Sequence, residues 1–151
     1  MAQTSVNRDF SISVPDDWTD RTMTIFAAPA KAGQPVTPNV LVASDRVKAG
    51  EDLDAFVTRQ VHELGHRARD FKLRLRREGV LDGRDCVEIV FRWNSVEQGF
   101  LQQRQVYAMI DAARILTITN TASEADFPAA DSTFQRILGT FSWAAQAAPA
   151  A

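Results

Sequence analysis

The 151-residue chain has one cysteine, two histidines and a single tyrosine. A lone cysteine, Cys86, cannot form an internal disulfide, so nothing in the sequence supports an oxidising compartment. At a strand start, Asp85-Cys86-Val87-Glu88-Ile89, it reads as a small buried thiol rather than a nucleophile. Charge of one sign is lacking too: 17 Lys and Arg stand against 19 Asp and Glu, a net charge of -2 with a pI near 5.7. Nucleic-acid-binding proteins usually carry a strong basic excess, so no DNA or RNA partner is expected. No apolar run nears the roughly 20 residues that cross a bilayer, which argues against stable membrane insertion. The start, Met1-Ala2-Gln3-Thr4-Ser5-Val6-Asn7-Arg8, has neither the basic opening nor the apolar stretch of a secretory signal. A cytoplasmic location is therefore expected, although a chain whose signal had been removed would read the same way. The G-x-S-x-G elbow, the phosphate-binding G-x-x-x-x-G-K and the dinucleotide fingerprint are all missing, so no catalytic residue and no cofactor is expected.

What is present is a chain 45% hydrophobic, long enough for one core and too short for two comfortable domains. One domain is expected over residues 8–143. The tail 144–151, rich in alanine, has nothing to fold against and is expected to be disordered. Phe10, Ile12 and Val14 alternate with serines, the pattern of a half-buried strand closed by Pro15. A second strand is expected over 22–27, a breaker-rich loop over 28–38, and a third strand over 40–44. From Asp52 to about Arg69 the period changes: Leu53, Phe56, Val57, Gln60, Val61, Leu64 and Ala68 recur at three and four, an amphipathic helix with Gln60 inside its apolar stripe. Then come a strand from Lys72, a turn at Asp82-Gly83-Arg84, an apolar strand with Val87, Ile89, Phe91 and Trp93 on one side, and strands over 100–110 and 115–121. Phe134, Ile137, Leu138 and Phe141 restore the helical period, with Asp131 or Ser132 placed to cap. The expected fold is α+β, an antiparallel meander with helices packed against it.

His62-Glu63-Leu64-Gly65-His66 matches the zinc-protease pattern H-E-x-x-H. At about 100° per residue, however, the apolar stripe centres opposite His62 and His66, which share their side with Ala55, Arg59 and Arg69. Two arginines would repel a divalent cation, no third histidine exists, and Glu78 and Glu88 fall in strands. A coincidental match on a solvated face is the preferred reading, with no metal expected. The cluster Arg67, Arg69, Lys72, Arg74, Arg76 and Arg77 reads as a solvated helix end and an exposed strand with Leu73 and Leu75 turned inward, rather than as a docking site for an acidic surface. Asp16-Asp17 look like turn residues rather than a catalytic pair.

Three stretches carry more. Val14-Pro15-Asp16-Asp17-Trp18-Thr19-Asp20 reads as a strand end and a Trp-anchored turn, running into Met23-Thr24-Ile25-Phe26, where Met23 and Ile25 share a face. Phe56-Val57-Thr58-Arg59-Gln60 and Arg104-Gln105-Val106-Tyr107 each set a glutamine among apolar neighbours. In this order, from about Phe10 to Phe141, the chain resembles the Eag chaperones of bacterial type VI secretion, cytoplasmic members of the DcrB-like group with a PsbP-like fold. It differs from lipoprotein members of that group, which begin with an export signal and a lipidated cysteine. The resemblance implies a homodimer that holds the transmembrane helices of a secreted effector of the Rhs or PAAR type before export. It assigns client contact to Met23, Ile25, Gln60 and Gln105, and alternation adds Gln103 and Tyr107 on the same side of the strand. Glutamines can imitate a neighbouring membrane helix by hydrogen bonding, and methionine adapts to irregular surfaces. Two other readings stay open: a generic DcrB-like module with another protein partner, its Met23 and Ile25 being plain core, and the zinc peptidase.

Overall fold

A computed structural model of the chain describes residues 2–6 and 9–144. Among the described residues, eight strands and two helices follow in the order β1 (Ala2–Val6), β2 (Ser11–Pro15), β3 (Met23–Ala27), β4 (Asn39–Arg46), α1 (Leu53–Arg67), β5 (Lys72–Leu81), β6 (Arg84–Ser95), β7 (Gly99–Met109), β8 (Arg114–Ser123) and α2 (Phe127–Leu138). The tail expected over 144–151 lies outside the described residues beyond position 144. Among the described residues, no helix is long and apolar enough to cross a membrane.

Six strands form one antiparallel sheet in the order β3-β4-β8-β7-β6-β5. The run from β5 to β8 is the expected meander; Asp82 and Gly83, both at positive φ, make the two-residue turn between β5 and β6 that Asp-Gly favours. Side chains alternate across β6, so Val87, Ile89 and Phe91 face α1 while Cys86 and Val90 face α2. Phe56 and Val57 of α1 close the first side, and Phe127 and Phe134 of α2 close the second. The helices therefore lie on opposite faces of one sheet. Asp52 caps α1, its carboxylate accepting from the Ala55 amide at 2.8 Å. Cys86 is buried, as expected of a structural thiol.

Four expectations change in detail. The alternating strand from Phe10 is β2, but it pairs with β1 in a separate two-stranded unit, which leaves Phe10 58% and Ile12 53% exposed rather than half-buried. The turn after it is closed by the Trp18 amide donating to the Pro15 carbonyl at 3.1 Å; the Trp18 side chain is exposed and does not anchor it by burial. Leu73 and Leu75 do not share a face, because a register shift between them sets Leu73 opposite Phe91 on the α1 side and Leu75 opposite Val90 on the α2 side. Helix α2 starts at Phe127 with Asp126 as its cap residue and Pro128 in its first turn, so neither Asp131 nor Ser132 caps it. Asp131 turns inward to Arg104 instead, with N–O distances of 2.8 and 3.1 Å.

Candidate functional site

Directly opposed residues in an antiparallel sheet point to the same side, so the strand registers define rows of side chains across it. One row on the α1 side runs Met23, Ala43, Thr117, Tyr107, Val87. The next runs Ile25, Leu41, Thr119, Gln105, Ile89, and a third runs Ala27, Asn39, Thr121, Gln103, Phe91. Helix α1 lies over the β6 and β7 ends of these rows, where Phe56 and Val57 meet Val87, Ile89 and Phe91. At the β3 ends, Met23 and Ile25 are 56% and 58% exposed. The edge strand keeps apolar side chains in water, and beside α1 the uncovered part of the sheet face forms an open lane.

A cleft of about 270 Å³ lies in this lane, between α1 and the sheet. It brings together Met23 from β3, Gln60 from α1, and Gln105 and Tyr107 from β7. Gln60 and Gln105 are half-buried. The Gln105 Oε1 accepts from the Tyr107 hydroxyl. Tyr107 is only 2% exposed, and burial pushes its phenol well above the ordinary range, so it is a neutral wall of the cleft rather than an exposed contact. Asp20, Arg21, Asp45 and Arg67 also line the cleft and give it a charged rim of both signs.

The two remaining candidates sit on the same face but outside the cleft. Ile25 belongs to the neighbouring row and extends the exposed apolar edge. Gln103 is committed internally: its Oε1 accepts from Trp93 Nε1 at 2.9 Å and its Nε2 donates to Thr121 Oγ1 at 2.7 Å. With both ends engaged, it fixes β6 to β7 to β8. Ala43, Thr117 and Leu64 also line the cleft and were not among the expected residues. Their signal is in the sequence for β8, where Thr117, Thr119 and Thr121 alternate with Leu116 and Ile118, marking a face that is not plain core.

The histidine motif sits elsewhere. His62 and His66 are exposed, with ring centroids 4.6 Å apart, and Glu63 lies 3.4 Å from Arg59 in an ion pair. Glu88 is on the opposite side of the sheet, held by Arg77 at 2.8 Å and Arg104 at 3.7 Å, where it cannot complete a shell with those imidazoles. Among the described residues, no group of three or more His, Cys, Asp or Glu side chains is placed to hold a metal. Three of the six residues of the basic cluster are in ion pairs: Arg74 with Glu124 at 3.1 Å, Arg76 with Asp54 at 2.7 Å, and Arg77 with Glu88.

Several solved structures share this architecture. The Pseudomonas aeruginosa protein PA94, of unknown function and a candidate regulator, superposes with a TM-score of 0.79 at 22% identity, over 95% of this chain and 97% of its own. LpqN of Mycobacterium tuberculosis, involved in cell envelope biogenesis, gives 0.55 at 11% identity over 82% and 85% of the two chains. The cyanobacterial PsbP of Synechocystis sp. PCC 6803 gives 0.54 at 11% identity over 95% and 92%. At these identities the likeness establishes the fold, which is PsbP-like. No curated protein matches. The model of one family, DcrB, matches residues 10–140, nearly all of the α+β domain described above, and the chain belongs to the DcrB family.

Proposed function

We propose that this DcrB-family protein is a cytoplasmic chaperone that binds and shields the amino-terminal transmembrane helices of a type VI secretion effector of the Rhs or PAAR type before its export. The observation that carries the reading is the convergence of Met23, Gln60, Gln105 and Tyr107 on one cleft beside α1, continuous with the exposed Ile25. From β3 to β7 the sheet advances three strand spacings, about 14 Å, and a helix with its side chains is about 10–12 Å across. One client helix would fit beside α1 along the lane. Covering Met23 and Ile25 would return about 1–2 kcal/mol each from apolar burial. Gln60, and the amide nitrogen of Gln105, would meet polar groups of a helix that in lipid would seek them on a neighbour. Two copies of the chain would grip a client with more than one such helix. The reading is of a binding protein and not of an enzyme.

The test is co-expression with an effector encoded beside this protein that carries apolar amino-terminal helices, using wild type and the Met23→Asp, Ile25→Asp double variant. Both side chains are exposed, so the variant keeps its fold by circular dichroism. The effector is expected to be soluble and to co-purify with wild type, and to aggregate with the variant. An effector equally soluble with both, or insoluble with both, defeats the proposal for that partner.

A further inference from the structure

The two edges of the sheet are built differently. At one end, β5 carries Lys72, Arg74, Arg76, Arg77 and Glu78 and a register shift between Leu73 and Leu75, devices that keep a further strand from adding. At the other end, β3 is Met23-Thr24-Ile25-Phe26-Ala27, with no charged residue, no proline and an unbroken register against β4. All of its residues are exposed, with Met23 and Ile25 on the α1 side of the sheet and Phe26 on the α2 side. Two backbone contacts fix which way its main chain points. In an antiparallel pair, bonded and non-bonded residue pairs alternate, and a residue of a non-bonded pair turns its N–H and C=O away from the neighbouring strand. The Ala28 amide donates to the Pro38 carbonyl at 2.9 Å, one step beyond Ala27 opposite Asn39, so the bonded pairs behind it are Phe26 with Val40 and Thr24 with Val42. On the far side of β4, the Val47 amide donates to the Ala113 carbonyl at 3.0 Å, one step beyond Arg46 opposite Arg114. That contact turns Leu41 and Ala43 toward β8 and leaves Val40 and Val42 for β3, the same phase.

The N–H and C=O groups of Met23, Ile25 and Ala27 therefore point out from the edge, and among the described residues no second strand flanks β3 to meet them. We infer that β3 takes up an extended, uncharged segment of another protein as a further strand of the sheet. The main chain of that segment bonds with Met23, Ile25 and Ala27, and its apolar side chains lie beside Met23 and Ile25 on one face and beside Phe26 on the other. A charged side chain set over those three would lose hydration with nothing to repay it. A helix cannot use this edge, because its own N–H and C=O groups are spent internally, so the inference is independent of the chaperone reading and of the lane over the α1 face. A second copy of the chain is the poorer occupant. Self-pairing of β3 would engage five residues a side, against about 20–30 a side in a stable protein interface, whereas main-chain bonds along one edge strand suffice to hold an extended peptide.

The test is an NMR titration of the full chain with a short peptide alternating valine and threonine, with a glycine-serine tail for solubility. It is N-methylated at each threonine, so that it offers one free edge and cannot build a sheet with itself; the control is N-methylated at every residue. In the free protein the amides of Thr24 and Phe26 should exchange with deuterium more slowly than those of Ile25 and Ala27. The first peptide should bind saturably and slow exchange at Ile25 and Ala27. The control keeps the side chains but loses its donors, and should bind about tenfold or more weakly. Ala27→Pro removes one outward donor and no bond to β4, so binding should fall several-fold while a thermal melt reports the fold. The comparison of the two peptides decides the matter on wild type alone. Absence of saturable binding, equal affinity for both peptides, or unchanged exchange at Ile25 and Ala27 would overturn the inference. So would protection of those two amides that rises with protein concentration in the absence of peptide, which would assign the edge to a second copy.

Discussion

Replacing Asp131 by alanine tests how α2 is fastened to the sheet. The guanidinium of Arg104 is 10% exposed and meets the carboxylate of Asp131, 18% exposed, through two contacts at 2.8 and 3.1 Å. Its third nitrogen lies 3.7 Å from Glu88, whose other oxygen is held by Arg77 at 2.8 Å. Removing one partner of a buried pair costs about 3–5 kcal/mol, because the remaining charge stays desolvated. Glu88 still neutralises part of Arg104 after the change, so the loss should fall at the low end, about 3 kcal/mol. Were Asp131 acting as a helix cap, the loss would be about 1 kcal/mol. Equilibrium urea unfolding separates the two, provided the slope is unchanged. A double-mutant cycle sharpens the distinction: in an Arg104→Met background the Asp131 carboxylate has lost its partner, so Asp131→Ala should be neutral or stabilising. A loss of about 1 kcal/mol in both backgrounds would refute the ion-pair account.

Further expectations follow from single contacts. Gln103→Ala strands Trp93 Nε1 and the Thr121 hydroxyl, and Gln105→Ala strands the buried Tyr107 hydroxyl, so each should cost about 1–3 kcal/mol in urea unfolding, whereas Gln60→Ala should cost less than about 1; a loss at Gln60 equal to that at Gln103 would contradict the reading of Gln60 as free of internal structural duty. The Arg59 guanidinium, with help from the Lys48 amide, lowers the Glu51 carboxyl from an ordinary 4.5 to about 2. A depressed acid stabilises the fold once the unfolded chain is also ionised, so the advantage of wild type over Glu51→Gln should be full above about pH 4.5 and fade as pH falls through about 2. An advantage that grows on acidification would contradict this sign. Burial foremost, then Glu88 and Asp85, pushes the Cys86 thiol up to about 11, so Ellman's reagent at pH 8 should react slowly with the folded chain and at once in urea. Fast reaction of the folded protein would refute the buried placement.

Much of the architecture was legible because local periodicities agree with the final packing. The α1 stripe from Leu53 to Leu64 is the buried face of that helix, and Val87, Ile89 and Phe91 do share one side of β6. What was not legible depends on register and on distant partners. The step between Leu73 and Leu75 breaks an alternation that looks regular in sequence. Asp131 looked like a cap because nothing local shows that Arg104 will draw it inward; Pro128 in the first turn was the overlooked sign of an earlier start. For the site, alternation put Met23 and Ile25 on one face, but only the rows across β4 and β8 place Met23 in line with Tyr107 and Ile25 in line with Gln105. Gln103 and Gln105 are indistinguishable by alternation, yet one is spent on Trp93 and Thr121 while the other faces the cleft.

The proposed chaperone role is tested most directly by co-purification of a candidate effector, encoded beside this protein and carrying apolar amino-terminal helices, with wild type and with the Gln60→Ala, Gln105→Ala double variant, both shown to be folded at the assay temperature by circular dichroism. The account predicts that the effector is soluble and retained by wild type and is lost by the folded variant. Retention by both, or by neither, would contradict a client groove built on those two amides.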